Sequence, residues 1–289
     1  AQGRPGTLLS INSKAGRVFS IEEGRKAFSV AVSDLHGRIL RYERLPKGES
    51  FQDDIQKLIR KMSAGDAVIY GAAIASDYNT RIELPFPSVR ISRAEAEAGA
   101  EVARLGDLES FLFISWSDTI AATIRKNGMM IPLPDLPHIR AQRDGDCSCG
   151  GKGCLEAVSS GQVILSRTGA DSYRTLFGNR EYHEMIKVML RPMAAALSEA
   201  AQALSASSVI ITGRMAAMPD AMYAYLQTLV SSLLPPGREN MIIYRSSAGE
   251  NGAREGAALK ALDTFFYNTE LLLRLKAIEN LSVPFQNGI

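Results

Sequence analysis

The chain has 289 residues, 46% of them hydrophobic and 22% charged, and its formal net charge is +2. This balance predicts one large or two medium globular domains and speaks against a chain that is drawn as a whole to nucleic acid or to a membrane surface. No run approaches the roughly 20 apolar residues of a membrane helix, and three cysteines in so long a chain exclude a disulfide scaffold and favour the reducing cytoplasm.

The first half of the chain predicts three strands and then alternating helices and strands. Alternating apolar residues indicate the strands, and apolar residues at helical spacing indicate the helices. In chain order, the predicted elements are strands at 17–23, 27–33 and 38–44, a helix at 50–62, a strand at 66–72 and a helix at 92–105.

The second half begins in the same way, with two strands and an Asn-Gly hairpin turn. The predicted elements are strands at 111–117 and 121–126, helices around 154–168 and 180–205, a strand at 209–213, a helix, a strand at 241–245 and a long helix from about Gly252. Two halves of this kind predict two related α/β domains. We place the smaller domain at 1–105, joined by a C-terminal helix at about 269–289, and the larger domain at 106–268.

All three cysteines lie in the stretch DGDCSCGGKGCLEA, residues 144–157. Cys147 and Cys149 are too close along the chain for an easy disulfide, and thiolates among glycines suit a metal that several sulfurs must approach. Cys154 begins a predicted helix, whose N-terminus favours the thiolate. With His138 as a fourth ligand the site would hold one structural Zn²⁺. The alternative is three reduced thiols in a glycine-rich loop, because C-x-C-x4-C is not a finger or ribbon spacing.

The pattern H-x8-CSCGGKGCLEA resembles the zinc motif of the ROK family (repressors, open reading frames and sugar kinases). The segments FSIEEGRKAFSVAVSDLHGRIL, VIITG and GAREGAALKAL are similar to other segments of this family. The resemblance implies the actin-like, ribonuclease H-like sugar-kinase fold, in which two α/β domains surround a cleft for nucleotide and sugar. It also implies that His138, Cys147, Cys149 and Cys154 bind the zinc ion.

Two branches of the family compete, since its regulators carry a winged helix-turn-helix before the sugar-binding body and its kinases do not. The start GRPGTLLSINSKAGRVFSI resembles the linker that comes after the winged helix, although it also reads as a polar, turn-prone terminus. No segment resembles a recognition helix with basic residues. In the regulator interpretation, DNA binding would therefore require a domain absent from this chain.

The residue that would serve as catalytic base in the kinases differs here. The family's Asn-Asp dipeptide corresponds to Ser92 and Arg93, and an arginine stays protonated and cannot accept the proton of a sugar hydroxyl. Glu95 would replace the aspartate only after a shift in register, and it faces another side of the predicted helix.

Both phosphate-binding hairpins of the family are also altered. The first hairpin reads Glu22-Glu23-Gly24-Arg25-Lys26, which places two carboxylates where phosphate oxygens would approach. In the second hairpin, the family's glycines are replaced by Ser117, Thr119 and Ala121, whose Cβ atoms hinder a close approach of phosphate to the backbone.

The sugar-binding positions of the family correspond to Arg93, Asp135, His138 and Glu156. Two carboxylates and an imidazole suit a hydroxylated ligand, and Arg93 would favour an anionic sugar derivative. The family's sugar-contacting loop is shortened here to residues 75–88. The alternative interpretation is that Asp135 is a loop acid and that Glu156 only complements a helix dipole.

The sequence therefore predicts the effector-binding and dimerising domain of a ROK-type, sugar-responsive transcriptional regulator, a cytoplasmic homodimer or higher oligomer with one structural Zn²⁺. It predicts that the chain is not an enzyme. One alternative is a divergent ROK kinase that phosphorylates a hexose or N-acetylhexosamine with ATP. Another is a protein-interaction module whose pocket no longer binds a ligand.

Overall fold

The structure, a computed structural model, describes residues 10–24, 26–63, 65, 67–105, 110–238 and 240–267. These residues form two compact units, each built on a five-stranded mixed sheet. The first unit comprises the described residues up to Ile91 and again from Ala257, and the second comprises Ser92–Gly256. Within the described ranges, no helix is both long and apolar enough to cross a membrane.

The sheet of the first unit has the strand order β3-β2-β1-β4-β5. Its strands are β1 (Gly16–Glu23), β2 (Ala27–Ser33), β3 (Ile39–Pro46), β4 (Val68–Ala75) and β5 (Ser88–Ile91). The first three strands pair antiparallel, and β1, β4 and β5 pair parallel. The parallel pairing of β1 with β4 requires a crossover, which contains helix α1 (Phe51–Met62).

Apolar residues cover both faces of this sheet. Helix α1 buries Ile55, Leu58 and Ile59 in a cluster with strand residues such as Phe19. Against β4, Phe265 lies so close to Gly71 that a Cβ on this glycine would stand 2.5 Å from the Phe265 Cδ2 atom. A side chain at position 71 would therefore displace the aromatic ring.

The sheet of the second unit repeats this strand order. Its strands are β6 (Ser110–Trp116), β7 (Ile120–Lys126), β8 (Met129–Pro132), β9 (Ser208–Thr212) and β10 (Ile242–Arg245). Read from β8, the order is β8-β7-β6-β9-β10. The strands β8, β7 and β6 again pair antiparallel, and β9 and β10 run parallel to β6. The two related α/β halves expected from the sequence are thus present.

Helices cover both faces of the second sheet. They are α2 (Arg93–Leu105), α3 (Leu155–Ser159), α4 (Gly161–Thr168), α5 (Tyr173–Gly178), α6 (His183–Leu204) and α7 (Asp220–Leu233). Helix α8 (Gly252–Leu262) begins at the end of the second unit and continues in the first. Helix α2 packs against one face, where Ala98 joins Phe111, Phe113 and Ile210. Helices α6 and α7 contribute to the larger core on the other face.

The structure differs from the predicted elements in three places. β5, β8 and α5 were not predicted, because all three are too short for a clear periodicity. The helix predicted around 154–168 is two helices that meet at Ser160, whose backbone is extended and whose Oγ accepts a hydrogen bond from the Val163 amide. The units divide at 91/92 rather than at 105/106, because α2 packs against the second sheet. The C-terminal helix predicted at about 269–289 lies outside the described residues.

A buried carboxylate links the strand ends of the first unit. The Glu23 side chain is fully buried and accepts hydrogen bonds from Lys47 Nζ at 2.6 Å, Ser76 Oγ at 2.5 Å and Thr80 Oγ1 at 2.5 Å. Burial alone would raise the pKa of Glu23, but these donors and the charge of Lys47 hold it below its usual value. Glu23 thus joins β1 to the end of β3 and to the segment after β4.

We expect Glu23→Gln to lower the free energy of unfolding at pH 7 by about 1–3 kcal/mol, because it removes a buried, hydrogen-bonded charge. A carboxylate with a lowered native pKa stabilises the fold above its unfolded pKa, and this contribution is lost as the pH falls through the native pKa. The difference between wild type and variant should therefore shrink toward about pH 3. Urea unfolding at pH 7 and at about pH 3 measures this difference in the free energy of unfolding. The substitution of the exposed Glu49 by Gln is the control. A difference that stays constant with pH would contradict the role of the charge.

Candidate functional site

Backbone hydrogen bonds bring the two ends of the cysteine loop together. Arg140 pairs antiparallel with Cys154, and Asp146 with Lys152. The Gly153 carbonyl accepts hydrogen bonds from the amides of Ala141 and Gln142 at 2.8 and 3.0 Å. The loop therefore returns to its starting point at Gly153, just before α3.

Gly153 is required at this return for two reasons. Its φ of +68° is in the left-handed region that favours glycine. A Cβ at position 153 would also stand 1.9 Å from the Gln142 carbonyl oxygen, a distance that no side chain tolerates.

The return of the loop gathers the four residues that the sequence proposed as metal ligands. One ligand atom from each of His138, Cys147, Cys149 and Cys154 lies within 4.8 Å of all the others. His138 Nδ1 is 3.5 Å from Cys147 Sγ, and the Sγ atoms of Cys149 and Cys154 are 3.7 Å apart. The described part of the chain thus contains a His/Cys₃ cluster of the expected composition.

Two of the separations between these atoms match those of ligand atoms around a tetrahedral ion. Zinc bonds of about 2.3 Å to sulfur and about 2.0–2.1 Å to nitrogen set tetrahedral ligand atoms about 3.5–3.8 Å apart. Both measured separations lie within this interval. Three thiols and an imidazole are also the donors that zinc takes in closed, structural sites.

The thiols of the cluster differ in their surroundings. Burial raises the pKa of the Cys154 thiol to about 11, and the neighbouring sulfurs add to this effect. The Gly151 amide, which donates to Cys149 Sγ at 3.4 Å, lowers the pKa of the exposed Cys149. A bound cation would favour the thiolate at every sulfur and would therefore reverse the effect of burial at Cys154.

Glu156 lies two residues after the last cysteine, in the first turn of α3. Its Oε2 atom accepts a hydrogen bond of 2.7 Å from the Ile120 amide at the start of β7. Burial raises the pKa of Glu156, while this amide and the nearby His138 lower it in part. The contact with Ile120 is one that a sequence cannot reveal, since the two positions are 36 residues apart.

The other two proposed sugar-binding residues have different environments. Asp135 is exposed and begins the 3₁₀ turn that ends at His138, so it shares a short, rigid segment with a metal-ligand candidate. Arg93 is in the first turn of α2 and forms an ion pair of 3.4 Å with the buried Glu97. Ser92 caps this helix, because its Oγ accepts a hydrogen bond from the Glu95 amide.

The turn of the β6–β7 hairpin is held by the protein's own groups. The Ser117 carbonyl accepts a hydrogen bond of 2.7 Å from the Gly161 amide, and the Ser117 Oγ accepts one from the Arg214 amide. The Asp118 carboxylate accepts a hydrogen bond of 2.9 Å from the Tyr173 hydroxyl. Sequence reasoning missed this arrangement, because its partners come from α4, α5 and the end of β9.

Comparison with known proteins supports the ROK assignment. Residues 125–264 match the model of the ROK family, which confirms the family resemblance predicted from the sequence. Among curated proteins, the N-acetylmannosamine kinase of Escherichia coli (strain 55989 / EAEC) is 28% identical over 144 residues, or 44% of this chain. The chain spans about half of that relative, since the alignment covers 49% of its length.

Solved structures show that the fold class is also as predicted. A ROK family transcriptional regulator, a homologue of the E. coli MLC protein, aligns with a TM-score of 0.73 and 18% identity over 90% of this chain and 84% of its own. A ROK hexokinase from Thermus thermophilus aligns with a TM-score of 0.70 and 20% identity, over 84% of this chain and 97% of the hexokinase. At these identities the comparison establishes the actin-like, sugar-kinase fold and does not separate regulator from kinase.

The prediction that the chain is not an enzyme is contradicted by these findings. The curated relative is a sugar kinase, and so is one of the two solved neighbours. The physical reason is that phosphoryl transfer depends mainly on positioning and on electrostatic stabilisation. Arg93 at the position of the catalytic base and the loss of glycines from the phosphate-binding hairpins were therefore not sufficient ground to exclude this activity.

We expect Gly153→Ala to lower the stability of the second unit by more than Gly150→Ala does. Both glycines have a positive φ, which costs a substituted alanine about 1 kcal/mol. Only Gly153 also faces the Gln142 carbonyl, whereas position 150 has open space. Thermal unfolding of the two variants measures the difference, and equal losses would show that the close approach at Gly153 is unimportant.

Proposed function

We propose that this chain is the effector-binding body of a sugar-responsive ROK transcriptional regulator, and that it binds a sugar or an anionic sugar derivative beside a structural zinc ion. The observation that carries the proposal is that the Glu156 carboxylate lies only two residues after Cys154, one of the proposed metal ligands. Glu156 lies just after Cys154 in α3 and is held in place by the Ile120 amide. A ligand at this carboxylate would meet a site that is ordered before binding, which lowers the entropic cost of recognition.

The proposed zinc ligands are His138, Cys147, Cys149 and Cys154. Zinc would supply a fourfold cross-link between the loop and the start of α3, with no open position for catalytic water. Because His138 presents Nδ1 to Cys147, its Nε2 lies on the opposite side of the ring. From there it could donate a hydrogen bond to a sugar hydroxyl, as the second nitrogen of a metal-bound histidine commonly does toward an acceptor.

The proposed sugar contacts are made by Asp135, His138, Glu156 and Arg93. Asp135 and Glu156 would accept hydrogen bonds from hydroxyl groups, and charge-assisted bonds of this kind are stronger than neutral ones. Arg93 would favour a ligand with a carboxylate or phosphate group. Its ion pair with Glu97 keeps the guanidinium near the first turn of α2.

The regulator assignment is favoured by the two hairpins that bind phosphates in the kinases of this fold. In the first hairpin, Glu23 is engaged by Lys47, Ser76 and Thr80. In the second, Asp118 is engaged by Tyr173, and Arg214 is 3.7 Å from the same carboxylate oxygen. The polar side chains of both hairpins are thus already engaged within the protein, and the phosphates of a nucleotide would have to compete with these contacts.

A second candidate function is that of a sugar kinase, which the N-acetylmannosamine kinase relatives favour. Both candidates require sugar binding, and they differ in the event that binding triggers. A kinase releases ADP in the presence of ATP and sugar, whereas a regulator changes its oligomeric state or its DNA affinity. We expect a homodimer or higher oligomer in either case, which sedimentation velocity would measure.

We expect the purified protein to carry one equivalent of zinc, and Cys149→Ser to lose most of it, because oxygen is a poorer ligand for zinc than thiolate. Ser148→Ala, which changes a residue between two of the thiols, should retain the metal. Metal analysis of protein produced without added zinc measures both. Less than half an equivalent in the unmodified protein would contradict the site.

We expect Glu156→Gln to weaken sugar binding about tenfold or more, since the amide oxygen can still accept from Ile120 while the charge toward the ligand is lost. Arg93→Ala should abolish any preference for sugar acids and sugar phosphates over neutral sugars. Calorimetric titration with N-acetylmannosamine, sugar acids and sugar phosphates measures both effects, with Glu199→Gln on α6 as control.

A coupled ADP-release assay with the same sugars separates the two candidate functions. Turnover at kinase rates of roughly 1–100 per second would favour the second candidate. Sugar binding that Glu156→Gln and Arg93→Ala leave unchanged would place the ligand elsewhere and contradict the proposed contacts.

A further inference from the structure

A cavity of about 300 Å³ opens beside β5 in the first unit. Ile74 and the buried Ile82 form its apolar floor, and both belong to the core that packs under α1. Its walls are polar, and the side chains of Asn79, Arg81, Ser88 and Arg90 carry hydrogen-bond donors, whereas the Thr80 hydroxyl donates to Glu23. The proposed sugar contacts and metal ligands all belong to the second unit, and none of them lines this cavity.

The two walls of the cavity come from different segments. Ser88 and Arg90 are two positions apart in β5, so their side chains project from the same face of the strand. Residues 79–81 form the opposite wall. They belong to the segment 75–88, which corresponds to the family's sugar-contacting loop in shortened form.

The backbone around the cavity is held in place without a ligand. The Arg90 guanidinium donates from Nη1 to the Tyr78 carbonyl at 2.9 Å and from Nη2 to the Thr80 carbonyl. The side-chain amide of Gln52 donates a hydrogen bond of 2.7 Å to the backbone carbonyl of Glu83 and accepts one of 3.1 Å from the backbone amide of Glu83. The cavity is therefore pre-formed, as ligand sites usually are.

The charges near the cavity favour an anion. Arg90 lies 3.9 Å from Glu23, whose charge is already balanced by Lys47 at 2.6 Å. The side chain of Arg81 is 88% exposed and forms an ion pair of 3.0 Å with the exposed Glu83, which solvent weakens. An arginine has N–H donors and no acceptor, so a ligand between these walls must supply the acceptors.

We propose that this cavity binds a phosphate group, either as the free anion or as an ester of a small molecule. A phosphate has three or four acceptor oxygens directed to different sides, which suits donors on two facing walls. A carboxylate has only two acceptor oxygens, which lie in one plane, and it would leave the donors of one wall without a partner. Arg81 would provide the mobile charge that closes on the anion, and Ser88 with Arg90 the fixed wall.

Calorimetric titration of the whole chain at low ionic strength tests the proposal, because salt screens exposed charges. The ligands are inorganic phosphate, glucose 6-phosphate and, as neutral control, glucose. We expect phosphate binding that Arg81→Ala weakens about fivefold or more. We expect Glu83→Gln to strengthen the same binding, because it releases Arg81 from this ion pair.

Arg44→Ala is the matched control, since it removes one exposed arginine from β3 at the opposite edge of the same sheet. It should leave phosphate affinity unchanged, which separates a specific site from a general effect of net charge. Binding of glucose 6-phosphate and of free phosphate with the same dependence on Arg81 would identify the phosphate group as the recognised element. If wild type binds neither ligand, or if Arg81→Ala binds both as wild type does, the proposal is wrong.

Discussion

The return of the cysteine loop onto its own beginning is the constraint on which the candidate site of the second unit depends. At Gly153 one carbonyl closes the loop onto the amides of Ala141 and Gln142. This contact brings His138 beside Cys147, and it places Cys154 at the start of α3. The same closure orients the first turn of α3, including Glu156. A metal ion would reinforce an arrangement for which the backbone already provides the geometry.

Buried or half-buried carboxylates organise the ends of strands and helices in both units. Glu23 collects donors from three segments of the first unit, and Glu156 binds the amide that begins β7. In the second unit, Glu101 on α2 accepts hydrogen bonds from Ser246 Oγ and from the Ala248 amide, both at 2.5 Å. A buried charge is tolerated only when several donors replace its water, so each of these residues constrains the elements that supply its donors.

The two sheets share one strand order although the sequence contains no short tandem repeat. The common topology explains why each half begins with antiparallel strands and continues with parallel ones. The contents of the two halves differ at the carboxyl ends of the strands. There the first unit holds the Glu23 network, and the second holds the Asp118 contacts with Tyr173 and Arg214. The duplicated framework has thus acquired different polar groups at equivalent places.

The amino-acid sequence by itself determined most of the elements, the resemblance to the ROK family and the composition of the His/Cys₃ cluster. Long apolar periodicities identify strands such as β1 and helices such as α6, because side chains on one face must be buried together. The spacing of three cysteines and a histidine is local, so the sequence alone indicates which residues belong together. Only the tertiary structure decided that Glu156 binds Ile120, that Glu23 is surrounded by donors, and that α2 joins the second unit. These outcomes depend on contacts between residues tens of positions apart, and burial and hydrogen-bond geometry select such contacts only after the chain has folded.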